Sequence, residues 1–414
     1  MNTGRRSRIL LTAAALALGA VMPAVSQTVS NGQTASGAHY VFVVPDAWNG
    51  DLAIWNHGFS LDPPGPVSAD AEDISRIVQL AAPFNIAVAA SSYSQSGWAL
   101  FKTNVDLEQM VTAFEDEFGV PNQVIVTGAS LGGIVTASAL EKANLGDVTG
   151  ALTLCGAMAG SRNWDGGLDL RLVYDAVCDV KKARIPGGPK GLEKNSTLTD
   201  GDVVKAVNKC FGLNRKKPKK KQKKRLDKFL EVTGIPAEFV EVNMLYVTFA
   251  MADLVYDRKK MKGKQGASND GVDYGDAGIN ADIERFKAKK SKAKRLDKFY
   301  TPNGKVGDVK IVSIHTDKDG LVIVENQSEY ASVVPPENLT VAVVVEDTSS
   351  HCQFSNAELV GAWEALRGWI GGNPQPTVEV IQTNCEALAP VFGGPCRFDP
   401  DFVIPDMDGR IRPR

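Results

Sequence analysis

Histidine is scarce in this 414-residue chain, at four positions, so any histidine-dependent chemistry must use one of His39, His57, His315 or His351. The six cysteines form no CxxC pair and no Cys/His spacing of a zinc site. Beyond the first residues no apolar run reaches the roughly 18–20 residues that a membrane-spanning helix needs, so stable membrane insertion is not expected. With 43% hydrophobic and 23% charged residues, the composition excludes collagen-like, coiled-coil and wholly disordered chains. The net charge is only −2, but residues 161–305 hold 33 Lys and Arg against 19 Asp and Glu. A basic middle section is set into an acidic body.

What is present begins with a leader. Arg5, Arg6 and Arg8 precede an apolar run from Ile9 to Val21, and Ala24-Val25-Ser26 supplies the small residues that a signal peptidase reads. Residues 1–26 are therefore expected to be a signal peptide, with the mature protein secreted or periplasmic. Export places the cysteines in an oxidising compartment, where an even number points to disulfides. Cys385 and Cys396 bracket a short loop and form the most readily assigned pair. Cys178 and Cys210 both lie in the basic section, and Cys155 and Cys352 fall near loops that bear on the chemistry below.

Val/Ile-rich runs at His39–Pro45, Leu52–Asn56, Ile86–Ala90, Val124–Thr127, Ala151–Cys155, Val309–Ile314 and Leu339–Val345 read as strands buried on both faces. Helical patterns lie between them, at Ala71–Ala82, Leu107–Phe118, Leu131–Ala143 and Ala357–Ile370. Such alternation predicts an α/β fold with a mostly parallel sheet covered by helices on both sides. It breaks over residues 161–305, where helical pieces (Val203–Phe211, Pro236–Val255, Ile283–Phe286) alternate with Lys-rich and Gly/Asp-rich loops, and it resumes at Val309. The expected organisation is a core at 27–160 and 306–372, an insertion at 161–305, and a Pro-rich, disulfide-held tail at 373–414.

Gly128-Ala129-Ser130-Leu131-Gly132 follows a predicted strand and opens a predicted helix. In that context the glycines permit a strained turn that lifts the Ser130 hydroxyl clear of the backbone. The helix that follows aims its N-terminal N–H groups where negative charge develops. A nucleophilic serine needs a base and an acid that orients it. His351 lies in the polar loop Asp347–Phe354 after the last predicted strand, where sheet-based sites are built, and is the expected base. Just past the preceding strand, Asp317 and Asp319 both offer the acid.

At these residues the chain resembles the α/β-hydrolase superfamily. The resemblance covers residues 38–160 and 306–372. Asp319-Gly320-Leu321-Val322 is similar to the family's D-x-x-V segment, which implies Asp319 as the acid and leaves Asp317 as the alternative. The order Ser130, Asp319, His351 is the family's chain order. His57-Gly58 resembles its HG oxyanion motif, which implies the N–H groups of Leu131 and Phe59 as donors, with Gly58 in place of Phe59 as the alternative. Reading His57 as the base instead breaks the order. In tannase and feruloyl-esterase relatives one cysteine precedes the serine and another follows the histidine. Cys352 fits the second place, but Ala129 occupies the first, so that bridge is not expected here.

The resemblance implies a serine hydrolase that cleaves a carboxylic ester with no cofactor and no metal, and it makes the insertion a substrate-selecting cap. A peptidase of the same fold and a non-catalytic binding protein that retains the fold are the alternatives. Trp98, which ends the loop Ser94–Trp98, either shapes the substrate pocket or anchors its loop, and His57 lies on the same side. Met244, Leu245, Tyr246, Phe249 and Met251 either line a pocket or form the interior of the insertion. The run Lys216–Arg225 reads as a solvated loop, or as a device that steers an anionic or polymeric substrate. The export signal and the lack of interleaved aromatics speak against nucleic acid. Asp270, Asp273 and Asp276 lie in a Gly-bearing loop without EF-hand spacing.

Overall fold

In the computed structural model the described residues are 26–180, 183–193 and 196–414. The expected leader, apart from Ser26, lies outside them.

Eight strands form one sheet: β1 (Gln27–Gln33), β2 (His39–Pro45), β3 (Asp51–Asn56), β4 (Ala87–Ser91), β5 (Gln123–Ala129), β6 (Val148–Leu154), β7 (Lys310–Thr316) and β8 (Leu339–Val344). Their spatial order is β1-β2-β4-β3-β5-β6-β7-β8. β2 runs antiparallel to both its neighbours, and β4, β3 and β5–β8 are parallel. The parallel strands are apolar on both faces because helices cover both. β1 has the polar sequence QTVSNGQ, carries no apolar run, and owes its conformation to pairing with β2 along its whole length. At the opposite edge, Val345 N–H donates to Arg397 O and Asp399 N–H to Val343 O, so the chain near Phe398 covers β8.

Three helices precede the insertion: α1 (Glu72–Ala81), α2 (Thr103–Phe118) and α3 (Leu131–Lys142). The insertion holds α4 (Arg162–Val177), α5 (Asp200–Phe211), α6 (Lys220–Thr233), α7 (Val240–Leu245), α8 (Met251–Tyr256), α9 (Ala277–Asp282) and α10 (Lys290–Tyr300). α11 (Asn326–Val333), α12 (Asn356–Ile370) and α13 (Val378–Phe392) follow. On one face of the sheet, Ile125, Leu152, Val312 and Ile314 pack with Ile77 of α1 and with Trp363, Leu366 and Trp369 of α12. On the other, Ala151 and Ile311 pack with Ala137 of α3 and Tyr330 of α11. Residues 151 and 152 point to opposite faces, as the strand period of two requires.

The chain divides into two compact units. One is the sheet domain, comprising the described residues up to Gly160 and Phe299–Asp406. The other is Ser161–Lys298 together with Met407–Arg414. Within the second unit the C-terminal residues are tied in by charge. Arg414 reaches Asp169 at 2.7 Å and Asp165 at 3.6 Å, and Arg412 donates to Val232 O and Tyr274 O. Burial pushes the Asp165 carboxyl up to about 6 even though the Arg414 guanidinium opposes it.

Three expectations need correction. Ile283–Phe286 is not helical, and the Lys-rich segments on either side of it are: α6 and α10. Their charge runs hide one apolar stripe each, Phe229 and Val232 in α6 and Leu296 and Tyr300 in α10, all buried. The six residues Lys224–Phe229 recur identically at Lys294–Phe299, and the two copies fall in these two helices as one amphipathic turn each. The tail contains α13, which packs on α12 through Ile381 and Cys385 at i, i+4 spacing. The segment Ala237–Tyr256 is long and apolar enough to cross a membrane by length and composition, and 56% of its apolar window is buried. Met244 and Met251 in it are fully buried, as interior residues of the insertion.

Candidate active site

The turn after β5 is built by what a side chain would hit. A Cβ on Gly132 would lie 1.9 Å from Asn56 O, and one on Gly128 would lie 2.4 Å from Gly132 O. Only glycine lets the start of α3 approach the end of β3 this closely. Between them Ser130 adopts φ 56° and ψ −119°, a strained conformation for a residue with a Cβ. Its N–H donates to Leu154 O at the tip of β6, and its side chain stands at the N-terminus of α3.

His351 Nε2 lies 2.9 Å from Ser130 Oγ, and His351 Nδ1 lies 2.6 Å from Asp319 Oδ2. The second carboxylate oxygen of Asp319 accepts the N–H groups of Leu321 and Val322, both at 2.9 Å. Those bonds fix the carboxylate and leave Oδ2 for the imidazole, which sets the tautomer: Nδ1 carries the proton and Nε2 accepts from the serine. The three side chains come from the carboxyl ends of β5, β7 and β8, where parallel sheets place ligands. Asp317 is used elsewhere. Its Oδ1 accepts Glu346 N–H at 2.8 Å and its own N–H donates to Val344 O, clasping the ends of β7 and β8.

The His351 loop is held from both sides. Four residues on, Ser355 and Glu358 cap α12 reciprocally (2.7 and 3.0 Å), and Arg397 grips the buried Glu358 carboxylate at 2.9 Å through two nitrogens. Immediately after the histidine, Cys352 is bonded to Cys155 at the tip of β6, 197 residues away. Both cysteines have positive φ, 44° and 57°, and the Cys352 sulfur sits 3.5 Å from His351 Nε2. The bridge from position 129 is absent, as Ala129 dictates, and Cys352 pairs elsewhere. Cys155 supplies from β6 the sulfur that position 129 lacks. Cys178–Cys210 and Cys385–Cys396 are bonded as well, so every cysteine is paired. Atoms of Cys155, Asp319, His351 and Cys352 cluster closely enough for a metal site. The bond between the two sulfurs removes both thiolates from that set.

Gly58 follows β3 beside the serine: a Cβ there would lie 3.6 Å from that of Ser130. The backbone of 57–59 therefore passes the hydroxyl at close range, next to the first N–H of α3 at Leu131. The His57 ring stacks on Tyr93 at 4.2 Å, with Nδ1 2.7 Å from Gly58 O. Burial lowers its pKa, outweighing the Gly58 hydrogen bond and the Asp73 charge. His57 thus braces the backbone of 57–59 as a neutral ring, and His351 reaches the serine. Beside this loop, Phe59 contacts Trp98 at 5.3 Å, Trp98 contacts Tyr300 at 5.9 Å, and Phe101 contacts Phe299 at 4.7 Å. The sequence pattern points to Trp98 but not to Phe101, three residues on, nor to Phe299 and Tyr300, some 200 residues away in the chain.

His39, at the head of β2, meets Gln33 Nε2 at 3.2 Å. His315 is fully buried beneath the acid loop. Its Nε2–H donates to Val322 O at 2.8 Å and its Nδ1 accepts from Gln327 at 2.9 Å. Gln327 accepts in turn from Ser313, and Ser313 from Thr153. Burial pushes the His315 pKa below the usual 6.5, against the charge of Asp319. The unfolded chain therefore takes up a proton near pH 6.5 that the folded chain refuses. Stability is complete above that pH and falls as pH drops, by at most about 1.4 kcal/mol per pH unit for one such group. Glu346, whose carboxyl is raised by burial, contributes with the opposite sign from 4.5 upward. The Tm of the wild type is expected to fall more steeply between pH 7 and 5 than that of His315→Gln. Equal slopes would contradict a buried neutral His315.

The strand order, the parallel crossovers, the serine turn after β5 and the acid and histidine after β7 and β8 decide the architecture. The chain has the α/β-hydrolase fold. No family model and no curated protein matches its sequence. Among solved structures, the closed state of Candida antarctica lipase A aligns at 10% identity and a TM-score of 0.45, over 93% of this chain and 83% of the lipase. The esterase RhEst1 from Rhodococcus sp. aligns at 15% identity and 0.39, over 83% and 98%. The Pyrococcus furiosus esterase Pf2001 aligns at 12% and 0.38, over 84% and 90%. At these scores the chemistry of the site rests on the chain's own geometry.

Proposed function

We propose that the protein is an exported serine hydrolase that cleaves a carboxylic ester, small or polymeric, through an acyl-enzyme. The observation that carries this reading is the hydrogen-bonded chain Asp319–His351–Ser130 on a strained turn at a helix N-terminus.

In this mechanism His351 Nε2 takes the hydroxyl proton as Ser130 Oγ attacks the ester carbonyl. The tetrahedral oxyanion is met by the N–H groups of Leu131 and Phe59, with Gly58 keeping the approach free of a side chain. Asp319 orients the imidazole and stabilises its protonated form. The imidazolium then gives its proton to the departing alkoxide, and the acyl group remains on Ser130. Water enters, loses a proton to His351, and attacks the acyl carbon. Collapse of the second intermediate returns the proton to Ser130 and frees the acid. No redox equivalent is consumed. Phe59 and Trp98 provide apolar surface beside the reacting carbon, and the Lys-rich insertion is the segment that sets substrate choice, anionic esters included. The three disulfides fit an oxidising compartment.

Residues 27–414 are expected to hydrolyse p-nitrophenyl butyrate with kcat/KM at least about 100-fold above that for a peptide p-nitroanilide, since the better leaving group needs less protonation. Faster anilide cleavage would support the peptidase reading instead.

A further inference from the structure

The strongest charge run of the sequence lies only half in a loop. Between Arg215 and Arg225, nine of eleven residues are Lys or Arg, and the second half of this run forms the first turns of α6. Arg215, Lys216, Lys217, Lys219, Lys220, Lys221, Lys223 and Lys224 are all exposed. Among the described residues, none of these cations joins an ion pair.

The helix beneath them is firmly seated. Gln222 is buried and donates to the carbonyls of Asn208 and Lys209 at the end of α5. Phe229 is fully buried against Phe211 (5.2 Å) and Tyr174. The charged face therefore sits on a fixed surface of the insertion.

That arrangement costs stability. Cations oppose the positive end of the helix dipole, and the first turn of α6 holds no acid. Lys219/Lys223 and Lys220/Lys224 are like-charge pairs at i, i+4 spacing, each unfavourable by a few tenths of a kcal/mol. Among the described residues no ion pair within the unit offsets these charges, so they are directed outward.

Its chemistry narrows the partner. Seven of the nine cations are lysines, which act as point charges, where bidentate recognition of single phosphates or carboxylates uses arginine. The aromatics at either end, Phe211 and Phe229, are buried, leaving nothing to stack on bases or sugar rings. Between residues 161 and 298 no large hydrophobic side chain is exposed among the described residues, so nothing enters a hydrocarbon core. What remains is delocalised attraction to a dense anionic plane. We propose that the Arg215–Arg225 face docks the protein on membrane surfaces rich in anionic phospholipid, by charge alone. Clusters of this size on a helix bind such lipid. The inference is independent of the esterase reading.

The test is co-sedimentation of the wild-type protein with phosphatidylcholine vesicles containing about 30% phosphatidylglycerol, beside pure phosphatidylcholine. Binding is expected only to the anionic vesicles, with release by about 0.5 M NaCl, where the Debye length falls to roughly 4 Å. Replacing Lys216, Lys217, Lys219, Lys220, Lys221, Lys223 and Lys224 by Gln is expected to lower the partition coefficient at least tenfold. Lys216→Gln, Lys217→Gln and Lys219→Gln together lie ahead of α6, leave its packing intact, and are expected to give an intermediate loss. Undiminished binding by either variant, equal binding to neutral vesicles, or binding that survives high salt would each overturn the proposal. So would wild-type protein that ignores the anionic vesicles but is retained on dextran sulfate or DNA.

Discussion

Replacing Ser130 by alanine is expected to lower kcat/KM for p-nitrophenyl butyrate by about 10⁵-fold or more, with the Tm almost unchanged. The chemical loss follows from geometry. The oxygen that lies 2.9 Å from His351 Nε2 disappears, and the base is left with no hydroxyl to activate. The small effect on stability follows from the backbone. Alanine keeps the Cβ, so the strain at φ 56° is the same in both proteins. Measuring esterase rate and thermal unfolding on the same samples separates the two effects. A variant that keeps more than about a hundredth of the activity would mean another group carries the acyl chain.

The second large effect is expected at Asp319. Asp319→Asn should lower kcat by about 10⁴-fold, because an amide nitrogen in place of Oδ2 would turn the His351 ring to the wrong tautomer. Asp317→Asn should lower it less than about tenfold, since an amide oxygen can still accept the Glu346 N–H at 2.8 Å. The two aspartates are separated by one residue and lie past the same strand, so the pair of variants isolates position from mere charge. A larger loss at Asp317 would reverse the assignment of the acid.

The legibility of this site in the sequence follows the range of each interaction. Ser130 was readable because strand, turn and helix are contiguous, and the glycines that the turn requires stand beside it. His351 and the pair Asp317/Asp319 were readable because a parallel sheet places its working loops at the carboxyl ends of successive strands, and only the resemblance of Asp319–Val322 to the D-x-x-V segment favoured Asp319. The Cys155–Cys352 bond was not, because it depends on the tip of β6 approaching α3 closely enough that a Cβ on Gly133 would lie 2.6 Å from Gly156 Cα. No local pattern records a contact across 197 residues. Phe299 and Tyr300, which complete the aromatic wall begun by Phe59, Trp98 and Phe101, were hidden for the same reason. β1 escaped because its residues are polar and its strand form comes from its neighbour. In α6 and α10 the signal was present, but only two buried apolar side chains per helix marked it among many lysines.

The mechanism stands or falls with Ser130 as a nucleophile driven by His351. The most direct measurement is intact and peptide mass spectrometry after incubation with diethyl p-nitrophenyl phosphate, which phosphorylates an activated serine and cannot be turned over like an ester. One diethylphosphoryl group per chain is expected, on the peptide that contains Ser130, and none on a His351→Gln variant treated in parallel. No adduct on the wild type, an adduct on another residue, or equal labelling of the variant would contradict the mechanism.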